Sequence, residues 1–470
     1  MASISSEPVS RSHWRVLLSA SGQTELVGAV VRLRALFTDG TDTSLMRRLA
    51  GTVFVIRVIS ALLAFASQIV LARWLGGYQF GVYVYAWTWL LLVGGVVDFG
   101  LGSAAQRFIP EYTEQGRLAL LRGFLQGSVW LAAAIATAIA AVAVALIVLL
   151  PGVDPKTILP LGVACAALPA FGIAQVSSGV ARSYDWVNLA LVPPYVLRQI
   201  ALLVLMGLAF VFGLHADAAM TMFVTVTAVW LCTTGQLVVL NRRLAHLVVP
   251  GERAQAVRTW LKTSMPISLV EGFIFLLTYT DVIVLTQFRP PNEVAIYYAA
   301  AKTMALVAFI YFAVAQTVAH KFSEYYITGD RQRLADIVAD SVRLTFWPSL
   351  GLIVVILVLG VPLLRMFGHD FVSGYYLMFI IAAGLLARAA IGPAERLLNM
   401  LGERRACAYV YVGSFLVNLS LCLLLIPPFG ITGAAVASAA AFLVESAGLF
   451  AVAKFRLGFH CLIFGRPLQA

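Results

Sequence analysis

Twelve apolar runs, each about twenty residues long, follow one another along this chain. An apolar helix needs about 20 residues to cross the hydrocarbon core of a bilayer. The runs lie near 51–72, 80–106, 124–150, 157–181, 189–212, 218–240, 266–287, 294–320, 344–364, 373–392, 407–426 and 431–452. Composition agrees: 61% of residues are hydrophobic, 12% are charged, and the mean hydropathy is +0.91. Soluble domains carry about 25% charged residues. So apolar a chain cannot cover itself with polar surface, and the bilayer must be its solvent. The expected fold is an all-α integral membrane protein of about 12 transmembrane helices.

Basic residues set the expected orientation, because cytoplasmic loops carry an excess of Lys and Arg. With the N-terminus cytoplasmic, 25 of the 33 basic residues fall in the N-terminal arm, the even-numbered loops and the C-terminal tail. Only Arg73, Lys156, Arg289 and Arg365 fall outside. The expected product is thus a multi-pass protein of the cytoplasmic membrane with both termini cytoplasmic. The net charge of +11 reflects this bias, and no basic, aromatic-studded soluble module points to nucleic acid. No cleavable hydrophobic segment is expected ahead of the first run near Gly51. The five cysteines form no CxxC or Cys/His cluster, so core packing is expected of them and no metal site.

The two halves of the chain repeat. An offset of 214 residues lays Arg107-Phe108 on Lys321-Phe322, Tyr112 on Tyr326, Arg117 on Arg331 and Leu120 on Leu334. Gly81-Val82-Tyr83 falls on Ala295-Ile296-Tyr297. Even numbers of helices give both halves the same orientation, so the repeats are parallel and a substrate site is expected between them. The expected organisation is a basic cytoplasmic arm (1–48), a first six-helix lobe (49–241), an amphipathic linker (242–265), a second lobe (266–454) and a cytoplasmic tail (455–470).

Three segments resemble a known family: LARWLGGYQFGVYVYA at 71–86, TDVIVLTQFRPPNEVAIYYAAAKT at 280–303, and VNLSLCLLLIPPFGITGAAVASAAA at 417–441. They are similar to the polysaccharide transporters of the multidrug/oligosaccharidyl-lipid/polysaccharide exporter superfamily, over roughly residues 45–455. The resemblance implies a V-shaped pair of six-helix lobes that flips undecaprenyl-pyrophosphate-linked oligosaccharides across a bacterial inner membrane. That activity serves lipopolysaccharide or exopolysaccharide synthesis. The lipid II branch typically adds two C-terminal helices, which this pattern does not include. Implied partners are the lipid-linked oligosaccharide, membrane lipids, and a polysaccharide polymerase and glycosyltransferases.

Ionisable groups inside spans cost about 2.5–3.5 kcal/mol each on insertion scales, so each needs a reason. The basic ones are Arg57, Arg198, Lys302 and Arg388; the acidic ones are Asp98, Glu271, Asp281 and Glu445. At 100° per residue, Tyr298, Lys302, Phe309, Gln316 and His320 share one face of the eighth helix. Arg57, Ser60, Ala64 and Gln68 share one face of the first. Such stripes suit a water-filled cavity. The expected substrate-binding set is Arg57, Lys302, Arg198, Arg388, Gln68, Tyr298 and Gln316, with the cations holding pyrophosphate or acidic sugars. Snorkelling to the interface is the plainer alternative for Arg388 and Arg198. Tyr83, Tyr297, Tyr298 and Trp87 could stack on sugars, although an interfacial belt is the expected role. Glu445 is expected to satisfy a neighbouring helix. Glu271, Asp98 and Asp281 are the candidates for ion coupling or gating, by H+ or Na+. The same carboxylates keep a cation/drug antiporter as the alternative function. The offset also places Arg57 on Glu271, which suggests a pair that closes in one state and opens in another. No P-loop, GxSxG or HExxH motif supports an enzyme, and no cofactor is expected.

Overall fold

In a computed structural model, residues 42–149 and 155–463 are described, with side chains from residue 51 onward except at 316, 319, 320 and 323. Every regular element among the described residues is a helix, and none is a strand. Eleven stretches are long and apolar enough to cross a membrane. The first, Gly51–Gly94, has 44 residues, about 66 Å of helix, or twice a hydrocarbon thickness of about 30 Å. It is two crossings. At Gly76 the backbone leaves helical geometry with φ 71° and ψ 167°, a conformation glycine adopts without a Cβ penalty.

The twelve crossings are therefore the first (51–75), the second (77–114), the third (Leu118–Leu149), the fourth (Pro155–Ser183), the fifth (Val187–Val211) and the sixth (Ala218–Leu247). The second lobe adds the seventh (Val257–Phe288), the eighth (291–327), the ninth (Arg331–Val358), the tenth (His369–Met400), the eleventh (Arg404–Phe429) and the twelfth (Ile431–Leu457). Their outward faces expose Leu62, Trp130, Val148, Leu149, Phe210, Phe223, Leu424 and Phe429. Such large apolar surfaces are stable against lipid, not water.

The repeat is visible in contacts as well as in letters. The offset of 214 carries the Gly76 turn onto Pro290, which starts the eighth crossing with φ −65° and ψ 155°. Tyr83 meets Thr225 at 3.3 Å, and its counterpart Tyr297 meets Ser438, one position from the counterpart of Thr225, at 3.1 Å. Each tyrosine thus ties the second crossing of its lobe to the sixth.

Among the breaks within the described crossings, two lie in the second and eighth, where apolar periodicity does not reveal them. Residues 95–100 interrupt the second crossing, with Phe99 (φ 50°) and Gly100 (φ 72°) in left-handed conformation. The helix that restarts at Leu101 leaves its first backbone N–H groups without intrahelical acceptors, inside a span where lipid offers none. The Asp98 carboxylate accepts two of them, from Gly100 N (3.2 Å) and Gly102 N (2.8 Å). Backbones crowd this break: a Cβ on Gly100 would lie 2.7 Å from the Ser264 carbonyl, and one on Gly179 only 1.9 Å from the Gly102 carbonyl. The eighth crossing tightens at Ala305–Val307 into a 3-10 turn.

The link between the lobes is shorter than expected. Helix runs on to Leu247 and resumes at Val257, so only 248–256 are non-helical where composition suggested 242–265. Burial explains the difference. Trp260 is completely buried, its indole donating to Tyr112 Oη at 3.1 Å and its ring edge-on to Phe124 at 5.2 Å. The seventh crossing therefore starts against the first lobe. Farther along, Asn418 of the eleventh crossing reaches its Leu277 carbonyl at 3.3 Å. The expected tail is also less free. Phe459 and Cys461 are buried in a cluster with Phe322, Leu334 and Leu397, and burial pushes the Cys461 thiol up to about 12.

Candidate substrate cavity

A cavity of about 190 Å³ lies among the second, fourth, fifth, sixth and seventh crossings. Phe171, Tyr195, Arg198, Phe275 and Tyr279 are among its lining residues. The local cause is Pro193-Pro194. Neither proline can donate to the helical ladder, and the fifth crossing widens into a π turn over Pro193–Leu197, a distortion that recurs at functional sites. Tyr195 and Arg198, on either side of the end of that turn, both face the cavity.

Three cations meet around its tyrosines. The Arg198 guanidinium lies 5.3 Å from the Trp87 ring and 5.9 Å from that of Phe171. Arg57 sits 4.2 Å over Tyr195, which also lies within electrostatic reach of Arg198. Lys302 of the second lobe sits 5.0 Å from Tyr298, and Tyr279 is within reach of both Lys302 and Arg198. Among the described residues, no carboxylate comes within 4.0 Å of Arg57, Arg198 or Lys302. An aromatic face returns about 0.5–2 kcal/mol to a cation, no more than the insertion cost of one buried charge. The site is left short of an anion.

The acidic groups are in the opposite condition. Asp98 is occupied by two backbone N–H groups. Glu271 accepts from Ser103 Oγ at 2.8 Å. Asp281 accepts from Val282 N at 2.8 Å, from Ser438 Oγ at 2.9 Å and from the Tyr297 hydroxyl. Arg57 and Glu271 do not touch in this structure; each has the separate partners just given. Arg388 differs from the other cations. Its guanidinium is 3.3 Å from the buried Glu445 carboxylate and flanks Tyr311 and Phe442. Tyr311 in turn donates to Glu395 at 3.2 Å. Arg388 is thus committed to the second lobe's own network.

Gln68 is 7% exposed, and its Oε1 has no hydrogen-bond partner among the described residues. Its neighbour Ser67 donates to Gln199 Oε1 at 3.1 Å, joining the first crossing to the fifth beside Arg198. Gln316 and His320 lie outside the described side chains. Tyr83, Tyr297, Tyr298 and Trp87 are all buried within the protein, so they do not form the interfacial belt expected of them; Trp87 and Tyr298 hold cations instead. Sequence reasoning passed over Tyr195, Tyr279 and Phe171. A signal was available for Tyr195, since two prolines inside an apolar run mark a distorted helix.

Two six-helix lobes in parallel repeat, with Arg198 lining a cavity that reaches the seventh crossing and Arg57 and Lys302 beside its tyrosines, define a two-lobed membrane transporter. Comparison with known proteins agrees. The family model described as "Polysaccharide biosynthesis protein" matches residues 48–320, and the MatE model matches residues 266–424. The chain belongs to the polysaccharide biosynthesis protein family, within the exporter superfamily that its motifs resemble. The "Probable low-salt glycan biosynthesis flippase Agl15" of Haloferax volcanii is 26% identical over 407 residues, covering 84% of this chain and 80% of that protein. In fold, the chain is similar to the lipid II flippase MurJ in an inward closed conformation, with a TM-score of 0.70 at 15% identity, covering 86% of this chain and 87% of that one. A multidrug resistance MATE family transporter in an inward-facing conformation is similar with a TM-score of 0.67 at 14% identity, covering 92% and 98%.

Proposed function

We propose that this protein flips a lipid-linked glycan carrying an anionic, pyrophosphate-type head across the membrane, by alternating access around the cavity at Arg198. The observation that carries the reading is the asymmetry of charge: among the described residues, Arg57, Arg198 and Lys302 have only aromatic partners, whereas Asp98, Glu271 and Asp281 are each hydrogen-bonded already. A phosphate would give the cations the counter-charge they lack, with the planar guanidinium of Arg198 offering paired donors. The tyrosines beside it present flat faces to a sugar. Membership of a polysaccharide biosynthesis family and similarity to a glycan biosynthesis flippase support the glycan. Undecaprenyl is the carrier expected in a bacterial inner membrane. Alternating access needs the ligand to bind the two states unequally, and cations contributed by both lobes meet that need.

The test is reconstitution of the purified chain in liposomes with a fluorescent polyprenyl-pyrophosphate oligosaccharide. Movement between leaflets is read by an impermeant quencher. Flipping is expected, with Arg198→Ala slowing it at least tenfold, or about 1.4 kcal/mol. Arg198→Lys should retain part of the rate, because it keeps the charge and loses the fork. Transport of a cationic dye without movement of the pyrophosphate lipid would overturn the reading in favour of a cation antiporter.

A further inference from the structure

A second cavity, of about 470 Å³, opens on the lipid-facing side of the first lobe, among the third, fourth and sixth crossings and the inter-lobe link. Its two ends differ in chemistry. At the basic end of the helices it is rimmed by Arg122, Gln126, Asn241 and Arg253; its floor reaches Ala133 and Ile173. Eleven residues of helix separate Arg122 from Ala133, about 16 Å along the bilayer normal. Trp130, 68% exposed, flanks the groove.

The rim is built, not incidental. Arg122 Nε donates to the Val249 carbonyl at 2.7 Å and Nη1 to the Glu252 carbonyl at 3.4 Å. A Cβ on Gly251 would lie 2.5 Å from Arg122 Nη1, so the link folds directly over the guanidinium. Nη2 of Arg122 has no protein acceptor among the described residues. Among the described residues, neither Arg122 nor Arg253 has a carboxylate within 4.0 Å, Glu252 included. A slot lined by Leu125, Val129, Trp130 and Ala133 beneath two cations, at the basic end of the crossings, matches one class of molecule. It is a phospholipid, with an acyl chain carried beneath a phosphate headgroup.

We propose that this groove is a binding site for one anionic membrane phospholipid, its phosphate between Arg122 and Arg253 and an acyl chain along Trp130 towards Ala133. Arg122 belongs to the third crossing and Arg253 to the link, so the bound phosphate pins the link to the first lobe. The site is separate from the cavity at Arg198. Juxtamembrane arginines each contribute about 1 kcal/mol of attraction to anionic lipid, or about fivefold in affinity.

The full chain is reconstituted in phosphatidylcholine bilayers containing phosphatidylglycerol brominated on its acyl chains. Trp130 emission is taken as the difference between the parent and Trp130→Phe. Brominated phosphatidylglycerol should quench this emission at a several-fold lower mole fraction than brominated phosphatidylcholine. Arg253→Gln, at an exposed position, should weaken the preference about fivefold, and Arg253→Lys should restore it. Excess soluble inorganic phosphate should leave the quenching unchanged. Equal quenching by the two lipids, a preference that survives Arg253→Gln, or displacement by soluble phosphate would each overturn the assignment.

Discussion

The two lobes approach closely where the second crossing meets the eighth, and one methyl group tests the importance of that contact. On the present backbone, the Cβ of Gly81→Ala would lie 1.9 Å from the Pro291 carbonyl oxygen, 2.5 Å from its carbon and 2.9 Å from its Cα. Non-bonded heavy atoms are comfortable at about 3.5 Å, so the helices must part by about 1.5 Å. Overpacking of this kind costs about 1–3 kcal/mol. The cost falls only on the state in which these helices touch, and 2 kcal/mol is about 30-fold in the ratio of states. A reporter lies one turn away, where a Cβ on Gly77 would be 3.4 Å from Asn292 Oδ1. In a background without the five native cysteines, Gly77→Cys/Asn292→Cys should be bridged readily by a short bifunctional thiol reagent. Adding Gly81→Ala should slow bridging at least tenfold and impair export. Gly207→Ala, whose Cβ meets nothing within 4 Å, should change neither. Equal bridging in the Gly81→Ala and parent backgrounds would show that the two helices do not depend on this contact, and the reasoning would fail.

Three further outcomes are expected. Glu445→Ala should lower thermal stability by about 3 kcal/mol, because it strands Arg388 beside a buried pocket, and Arg388→Met with Glu445→Leu should recover most of the loss; equal stability of the single and double variants would deny the pairing. Asp98→Ala should destabilise the chain by about 1–2 kcal/mol through loss of the acceptor at the restarted helix, with Asp98→Asn close to the parent in a thermal-unfolding assay; an alanine variant as stable as the asparagine one would remove the capping role. Finally, a lone cysteine at Gly77 should react with an impermeant thiol reagent in intact cells, whereas one at the exposed Gln255 should not; labelling at 255 from outside would reverse the orientation drawn from the basic residues.

The number of crossings and their arrangement in two lobes were legible in the sequence, as was the presence of ionisable groups within the spans, of which Asp98 and Glu445 are buried. The reason is that lipid imposes a length of about twenty apolar residues on every helix and a high cost on every charge. The 214-residue repeat was legible for the same reason, since both halves solve the same packing problem. Which charges are free was decided elsewhere. Arg388 and Arg198 look alike in an apolar run, yet the Glu445 carboxylate sits against one and the rings of Trp87 and Phe171 against the other. Partners 57 residues away in the chain cannot be read from helical periodicity, which reports only a residue's face. The break at 95–100 escaped notice because its cause is three-dimensional: Gly100, Gly102 and Gly179 allow three backbones to meet, and Asp98 supplies the acceptors that the restarted helix lacks. Trp260 moved a boundary for a like reason, its burial against Tyr112 and Phe124 drawing into the helix a segment that composition alone marks as a linker. Sequence determined what must lie in the membrane; tertiary contacts determined which of its charges remain available to a ligand.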